Sequence, residues 1–254
     1  MLENGAKLCA QDGKYSSALQ AAAGEGNEAV VKLLVERGAD VNTQGGYYGN
    51  ALQAAAANPH QNAVIVKFLL ENGADINAEG GYYGTALQAA ATAAEKNEEV
   101  MRLLLDKGAT VNTQSGHYGN ALQAAAAQGN EVVVKFLLKK GATIDAQGGY
   151  YGNALQAAAA VARGNGEVVQ LLLERGADVN AQGGHYGNAL QAAAHSNNEV
   201  VARLLLEKGA DVNAQGGYYG NALQAAAAAT MFLSTREEVV KLLLEQGANV
   251  NAEG

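Results

Sequence analysis

The sequence predicts an all-α fold with short β-hairpin fingers, built as a solenoid of seven helix-turn-helix-hairpin units. Three observations carry this. The string Ala-Leu-Gln-Ala-Ala-Ala recurs seven times, starting at Ala18, Ala51, Ala86, Ala121, Ala154, Ala189 and Ala222. Its leucines, from Leu19 to Leu223, lie 33, 35, 35, 33, 35 and 33 residues apart. Each copy then carries a second apolar stripe, and most copies follow it with a Gly-Gly pair. Two short helices cannot bury their apolar faces alone, so neighbouring units must stack.

The elements of one copy, residues 115–147, show the logic. Asn120 is placed to cap a first helix by accepting a bond from a free backbone N–H. Ala121 to Ala127 follow, a helix-favouring run in which only Leu122 and Gln123 are long. Gln128-Gly129-Asn130 breaks the helix, and Asn130 is placed to cap a second one. Glu131 falls in the first turn, where the helix dipole favours an anion. Val132, Val133, Phe136 and Leu137 form a helical apolar stripe. Lys139 and Lys140 close the helix at its negative end, and Gly141 stops it in a left-handed turn. The segment Thr143-Ile144-Asp145, like Asp211-Val212-Asn213 in a later copy, is expected to be extended. Gly148-Gly149 then reads as a tight hairpin turn.

This unit resembles the ankyrin repeat, on residues that recur across essentially the whole chain. They are Leu-Leu-Leu-Glu-x-Gly-Ala-Asp-Val-Asn, as at Leu204 to Asn213, the 33-residue period, and the Ala-Leu-x-x-Ala-Ala inner helix. Where the family usually has Thr-Pro-Leu-His, this chain has Asn-Ala-Leu-Gln, with Ser17 or Thr85 replacing Asn in two copies. The chemistry is kept: a capping side chain opens the helix, and Gln can donate and accept between repeats as His does. The Gly-Gly-Tyr-Tyr-Gly finger is a second departure. This variant resembles the ankyrin arrays of fungal proteins, including the C-terminal sensor arrays of NACHT- or NB-ARC-type immune-like receptors. The copies run over residues 12–44, 45–79, 80–114, 115–147, 148–182, 183–215 and 216–254. Residues 1–11 match the tail of a preceding repeat, and neither end carries a polar capping face. The chain is therefore expected to be a piece of a longer protein.

Composition narrows the function. Of 254 residues, 17 are Lys or Arg and 25 are Asp or Glu, a formal net charge of −8, which offers no global basic face for nucleic acid. The single cysteine, Cys9, cannot build a disulfide framework, and the N-terminus has no signal-peptide pattern. No apolar run approaches the ~18 residues of a membrane span. A cytoplasmic location, no membrane contact and a monomer are the expectations. Catalytic and metal chemistry find no support either. Gly24-Glu25-Gly26-Asn27 is an inter-helix turn and no phosphate loop, because it follows a helix. His117 and His185 are equivalent positions two repeats apart, too far to share a metal. Ser196 beside His195 has no orienting acid. No cofactor is expected and no enzyme is read.

Function is sought where copies differ. The inter-helix turns vary most, with Pro59 and His60 in copy two, Arg163 in copy five, His195 in copy six and the insertion Met231-Phe232-Leu233 in copy seven. All 11 tyrosines lie in the fingers, as adjacent slots. The second slot is Tyr in every copy. The first is Lys14, Tyr47, Tyr82, His117, Tyr150, His185 and Tyr218. On an extended segment adjacent side chains point to opposite faces. The uniform slot is thus expected to pack against the neighbouring finger and the mixed slot to face outward as a protein- or peptide-contact surface. Finger packing at both slots remains the alternative reading of the rings. At the level of function, the alternatives are a structural spacer without its own ligand, or an engineered consensus scaffold. The uneven 33/35 spacing, Cys9 and Pro59 argue against the scaffold, since a designer regularises such features.

Overall fold

The structure, a computed structural model, describes residues 14–58, 62–93, 97–161, 165–229 and 236–252. Helices alternate between two roles in each copy. The inner helices are α1 (Ala18–Gly24), α3 (Ala51–Ala56), α5 (Ala86–Thr92), α7 (Ala121–Ala127), α9 (Ala154–Ala159), α11 (Ala189–His195) and α13 (Ala222–Ala228). The outer helices are α2 (Glu28–Glu36), α4 (Ala63–Glu71), α6 (Glu98–Asp106), α8 (Glu131–Lys139), α10 (Gly166–Glu174), α12 (Glu199–Glu207) and α14 (Arg236–Glu245). The chain divides into two compact units, Met1–Ala121 and Leu122–Gly254. In the first, α1, α3 and α5 stack in order. In the second, α9, α11 and α13 do the same.

Small side chains decide the packing. The alanines of the inner helices let neighbouring backbones approach, and the single leucine of each fills the space between layers. Leu52, Leu87, Leu155 and Leu190 are 1–2% exposed. Outer helices contribute Val31, Leu69, Met101, Leu137, Leu172 and Leu205, all fully buried. Charge stays on the solvent side, where i,i+4 pairs such as Glu28–Lys32 and Glu199–Arg203 add little individually.

Caps form largely as the sequence implies. Ser17, Asn50, Thr85, Asn153, Asn188 and Asn221 each accept from the backbone N–H of the glutamine three residues on. At Asn153 and Asn188 that glutamine reaches back to the cap N–H, completing a capping box. At the outer-helix C-termini, Gly38 has φ +87°, its N–H donates to Val35, and the Ala39 N–H donates to Leu34. This six-to-one bond needs a left-handed residue at the helix end, which glycine adopts at least cost.

One expectation is corrected. The segments flanking the fingers are turns, not extended strands, and among the described residues the fingers carry only isolated bridges such as Gly80↔Gly84. The reason is a local capture. The Asp211 carboxylate accepts from the Asn213 N–H at 2.9 Å, and Asp40 and Asp75 do the same for Asn42 and Asn77. Such Asx turns bend the chain before a strand can form. Cys9, Pro59, His60, Arg163 and Met231-Phe232-Leu233 lie outside the described residues.

Candidate functional site

The fingers are bonded to one another through backbone. The Tyr82 N–H donates to the Tyr47 carbonyl at 2.7 Å, and the His117 N–H donates to Tyr82 at 2.8 Å. In the second unit His185 donates to Tyr150, and Tyr218 to His185, both at 2.8 Å. This approach requires the second glycine of each pair. A Cβ at Gly81, where φ is +62°, would lie 2.4 Å from the Gly49 nitrogen. The inner-helix glutamines hold the next finger from within. Gln53 Nε2 donates to the Ala78 and Gly84 carbonyls at 3.1 and 2.8 Å, and Gln88 Nε2 to Thr113 and Gly119 at 3.2 and 2.7 Å.

The rings follow the backbone. Within a finger the two rings stand nearly perpendicular, 89° for Tyr47 and Tyr48 and 90° for Tyr150 and Tyr151. Between fingers they form two parallel rows. In the mixed slot Tyr47–Tyr82 stack at 4.8 Å, Tyr82–His117 at 4.7 Å, Tyr150–His185 at 4.7 Å and His185–Tyr218 at 5.0 Å. In the uniform slot Tyr15–Tyr48 stack at 5.3 Å and Tyr48–Tyr83 at 5.8 Å, while Tyr186–Tyr219 lie at 6.3 Å. The uniform slot packs between fingers, and Tyr118 and Tyr186 are buried. The mixed slot is the more open. Tyr47 is 42%, Tyr150 37% and Tyr218 75% exposed, while Tyr82, His117 and His185 are half-buried. The division between slots comes from the perpendicular setting of two rings on a turn, and not from strand alternation.

Stacking turns the ring faces of the mixed row toward one another and leaves ring edges outward, while the Tyr47 and Tyr150 side chains hydrogen-bond Tyr83 and Tyr186 of the next finger. Burial pushes the Tyr47 phenol up and the His117 imidazole down, so the row is neutral at pH 7 at both positions. Lys14 opens the row of the first unit. Its ammonium lies 4.9 Å over the Tyr15 ring and 3.8 Å from the Glu25 carboxylate. Burial, helped by a hydrogen bond to Glu25, lifts the Tyr15 phenol to about 12. His195 is not a turn residue. It ends α11 and packs between Tyr186 and Tyr219, 4.6 Å from the latter ring, and burial lowers its affinity for a proton.

Sequence reading missed a second ladder that links successive repeats. Asn42 Nδ2 donates to the Gly73 carbonyl at 2.9 Å and its Oδ1 accepts from the Asp75 N–H at 2.8 Å. Asn77, Asn180 and Asn213 repeat the pair of bonds. The signal was present, since Asn recurs at the end of Asp-Val-Asn, but a side chain on a solvent-facing turn reads as solvated. A shallow groove of ≈ 480 Å³ between α10 and α12 was also missed; Val200 lines it, and Glu167, Glu199 and Glu207 rim it. Among the described residues no group of His, Cys, Asp or Glu could hold a metal ion, and no helix is long and apolar enough to cross a membrane.

A family profile described as ankyrin repeats (3 copies) matches residues 1–80, 18–115, 61–148, 88–183 and 155–253. The chain belongs to the ankyrin repeat family, whose fold is in general a non-catalytic protein-interaction scaffold. The crystal structure of the human ASB11 ankyrin repeat domain is similar, with 27% identity and a TM-score of 0.68 over 92% of this chain and 99% of that one. No curated protein matches the chain.

Proposed function

We propose that the chain is a non-catalytic module that binds a protein or peptide along its finger rows, and that it serves as the recognition region of a larger, cytoplasmic protein of the fungal receptor type. The contact residues are Tyr47, Tyr82 and His117 in one unit and Tyr150, His185 and Tyr218 in the other. Lys14 and His195 stand beside them, and Pro59, His60 and Arg163, which lie outside the described residues, complete the proposed set. The observation that carries this is the exposure of the Tyr47, Tyr150 and Tyr218 rings, which line up with Tyr82, His117 and His185 as a row of polar-tipped rings along the fingers of each unit. Aromatic rings with polar tips give large contact area at low entropy cost.

The test must spare the stacks. A Tyr→Ala change removes ring pairs worth about 0.5–1.5 kcal/mol each, so lost binding would be confounded with lost stability. Tyr82 and Tyr218 are better changed together to Phe, which spares the Tyr47 and Tyr150 hydroxyls that bond Tyr83 and Tyr186. Peptides selected from a random display library on the native chain should bind the Phe variant at least about tenfold more weakly, the loss of one or two hydrogen bonds. A library that yields no enriched sequence, or peptides indifferent to the hydroxyls, overturns the reading.

A structural spacer is the second reading. The ring stacking and backbone bonds between fingers in both slots favour it, because they give the rings a structural use without a ligand.

A further inference from the structure

The outer helix α10 departs from its siblings at two positions four residues apart. Five of the seven outer helices pair a first-turn glutamate with a cation four residues on: Glu28–Lys32, Glu98–Arg102, Glu131–Lys135, Glu199–Arg203 and Glu237–Lys241. α4 has Ala63 at the first position and keeps Lys67 at the second. Only α10 has neither the acid nor the cation, with Gly166 and Gln170 in their places. Nothing in the fold calls for this glycine. Its backbone is helical, without the positive φ that the turn glycines supply, and glycine is a poor helix former. A Cβ at Gly166 would meet only the Val200 side chain, at 3.8 Å, an ordinary contact.

The two departures both open and charge the groove between α10 and α12. Gly166 leaves the groove bare beside Val200, which is 71% exposed, and Leu204 continues the apolar lining. Gln170 brings no cation, and its amide donates to Glu174. Arg203 is then the one cation of the lining against Glu167, Glu199 and Glu207, and it is bonded to Glu199 at 2.8 Å. Glu167 and Glu207 form no ion pair among the described residues. Glu167 and Val200 are each the second residue of their helix, while Glu207 is the last of α12, about 10 Å of helix rise further on. The groove therefore has an unpaired carboxylate toward each end and an apolar floor between. We propose that it binds a basic segment of a partner protein, in extended form, with a cation, a small apolar residue and a second cation at every other position. Side chains two residues apart on an extended segment share a face, and those four apart lie about 13 Å from one another. One cation reaches Glu167, the apolar side chain rests on Val200 and Leu204, and the other cation reaches Glu207. The aliphatic stems of Lys or Arg cover apolar surface on the way. Charge complementarity specifies the occupant, since a neutral or acidic segment would leave both carboxylates unpaired. This site goes beyond the finger rows, for none of its residues belongs to a finger.

Nuclear magnetic resonance of the isotope-labelled chain tests it, by titration at low salt with the acetylated, amidated peptide Arg-Ser-Val-Ser-Arg to millimolar concentration. The amide signals of Gly166, Gln170, Val200 and Leu204 should shift and saturate. The twin peptide Gln-Ser-Val-Ser-Gln should bind about tenfold more weakly, the loss of two partly exposed ion pairs. Glu167→Gln combined with Glu207→Gln should weaken the arginine peptide by a similar factor. Gly166→Glu combined with Gln170→Lys restores the pair that five sibling helices carry and fills the groove. It too should weaken binding about tenfold, while urea melts show it at least as stable as the native chain, so that a lost fold does not stand in for a lost site. No saturable shift, shifts confined to the fingers, equal binding of the neutral twin, or an affinity unchanged in either double variant overturns the proposal.

Discussion

Asp145 holds a slot that is Asn42, Asn77, Asn180 and Asn213 in other copies. Each of those asparagines both donates to the glycine carbonyl of the next repeat and accepts from an N–H two residues later. A carboxylate can only accept. Asp145 takes the Asp178 N–H at 3.2 Å and has no proton for the Gly176 carbonyl. It also sets its charge beside Asp178. Asp145→Asn supplies the missing donor and removes the charge. A net hydrogen bond is worth about 0.5–1.5 kcal/mol, and an exposed one falls at the low end. Urea melts should show Asp145→Asn more stable by about 0.5 kcal/mol, and the mirror change Asn180→Asp less stable by a similar amount. Equal melts for both would mean that water serves these carbonyls as well as the amide does.

At the scale of the helix, the 33- and 35-residue copies differ in what one asparagine does. In the 33-residue copies, Asn27, Asn130 and Asn198 cap the outer helix by accepting from the N–H three residues on. In the 35-residue copies, Asn62, Asn97 and Asn165 make no cap bond. Their Nδ2 instead donates to a carbonyl of the preceding repeat: Ala23 at 3.1 Å, Ala56 at 2.8 Å and Ala126 at 3.3 Å. The longer turn takes the side chain off its own helix, whereas Asn198 of a 33-residue copy both caps its helix and donates to the Val161 carbonyl of the preceding repeat at 3.1 Å. Aspartate caps as well as asparagine but cannot donate. Asn130→Asp should therefore be tolerated within about 0.5 kcal/mol, all the more because Asn130 Nδ2 is buried without a partner. Asn97→Asp should cost about 1–3 kcal/mol, because it leaves the buried Ala56 carbonyl facing a carboxylate. Chemical denaturation of the pair distinguishes the roles; equal losses would mean that both asparagines act as caps.

For the whole molecule, period and patterning made the helices, their caps and the uniform tyrosine slot legible, because each repeats a local rule seven times. The turn flanking each finger was not legible. Asp-Val-Asn alternates like a strand, and only the Asp211 carboxylate closing on the Asn213 N–H shows that it bends. The stacking of the mixed slot was legible only as an alternative to outward exposure, since it depends on how closely fingers approach, which Gly81 permits but does not announce. Repetition also supplies an internal control on stability. The hexapeptide Ala189 to Ala194 and the hexapeptide Ala222 to Ala227 are identical, yet Leu190 and Gln191 are 1% and 0% exposed while Leu223 and Gln224 are half-buried. In α11 the segment lies between α9 and α13; in α13 it has α11 on one side. If stability is a sum of repeat and nearest-neighbour terms, the end layer opens first. Hydrogen exchange at high dilution should then show α11 amides at least about tenfold more protected than α13 amides of the same sequence, a gap of about 1.4 kcal/mol in opening free energy. Equal protection would mean that the second unit opens as one block, with the finger ladder making its layers inseparable.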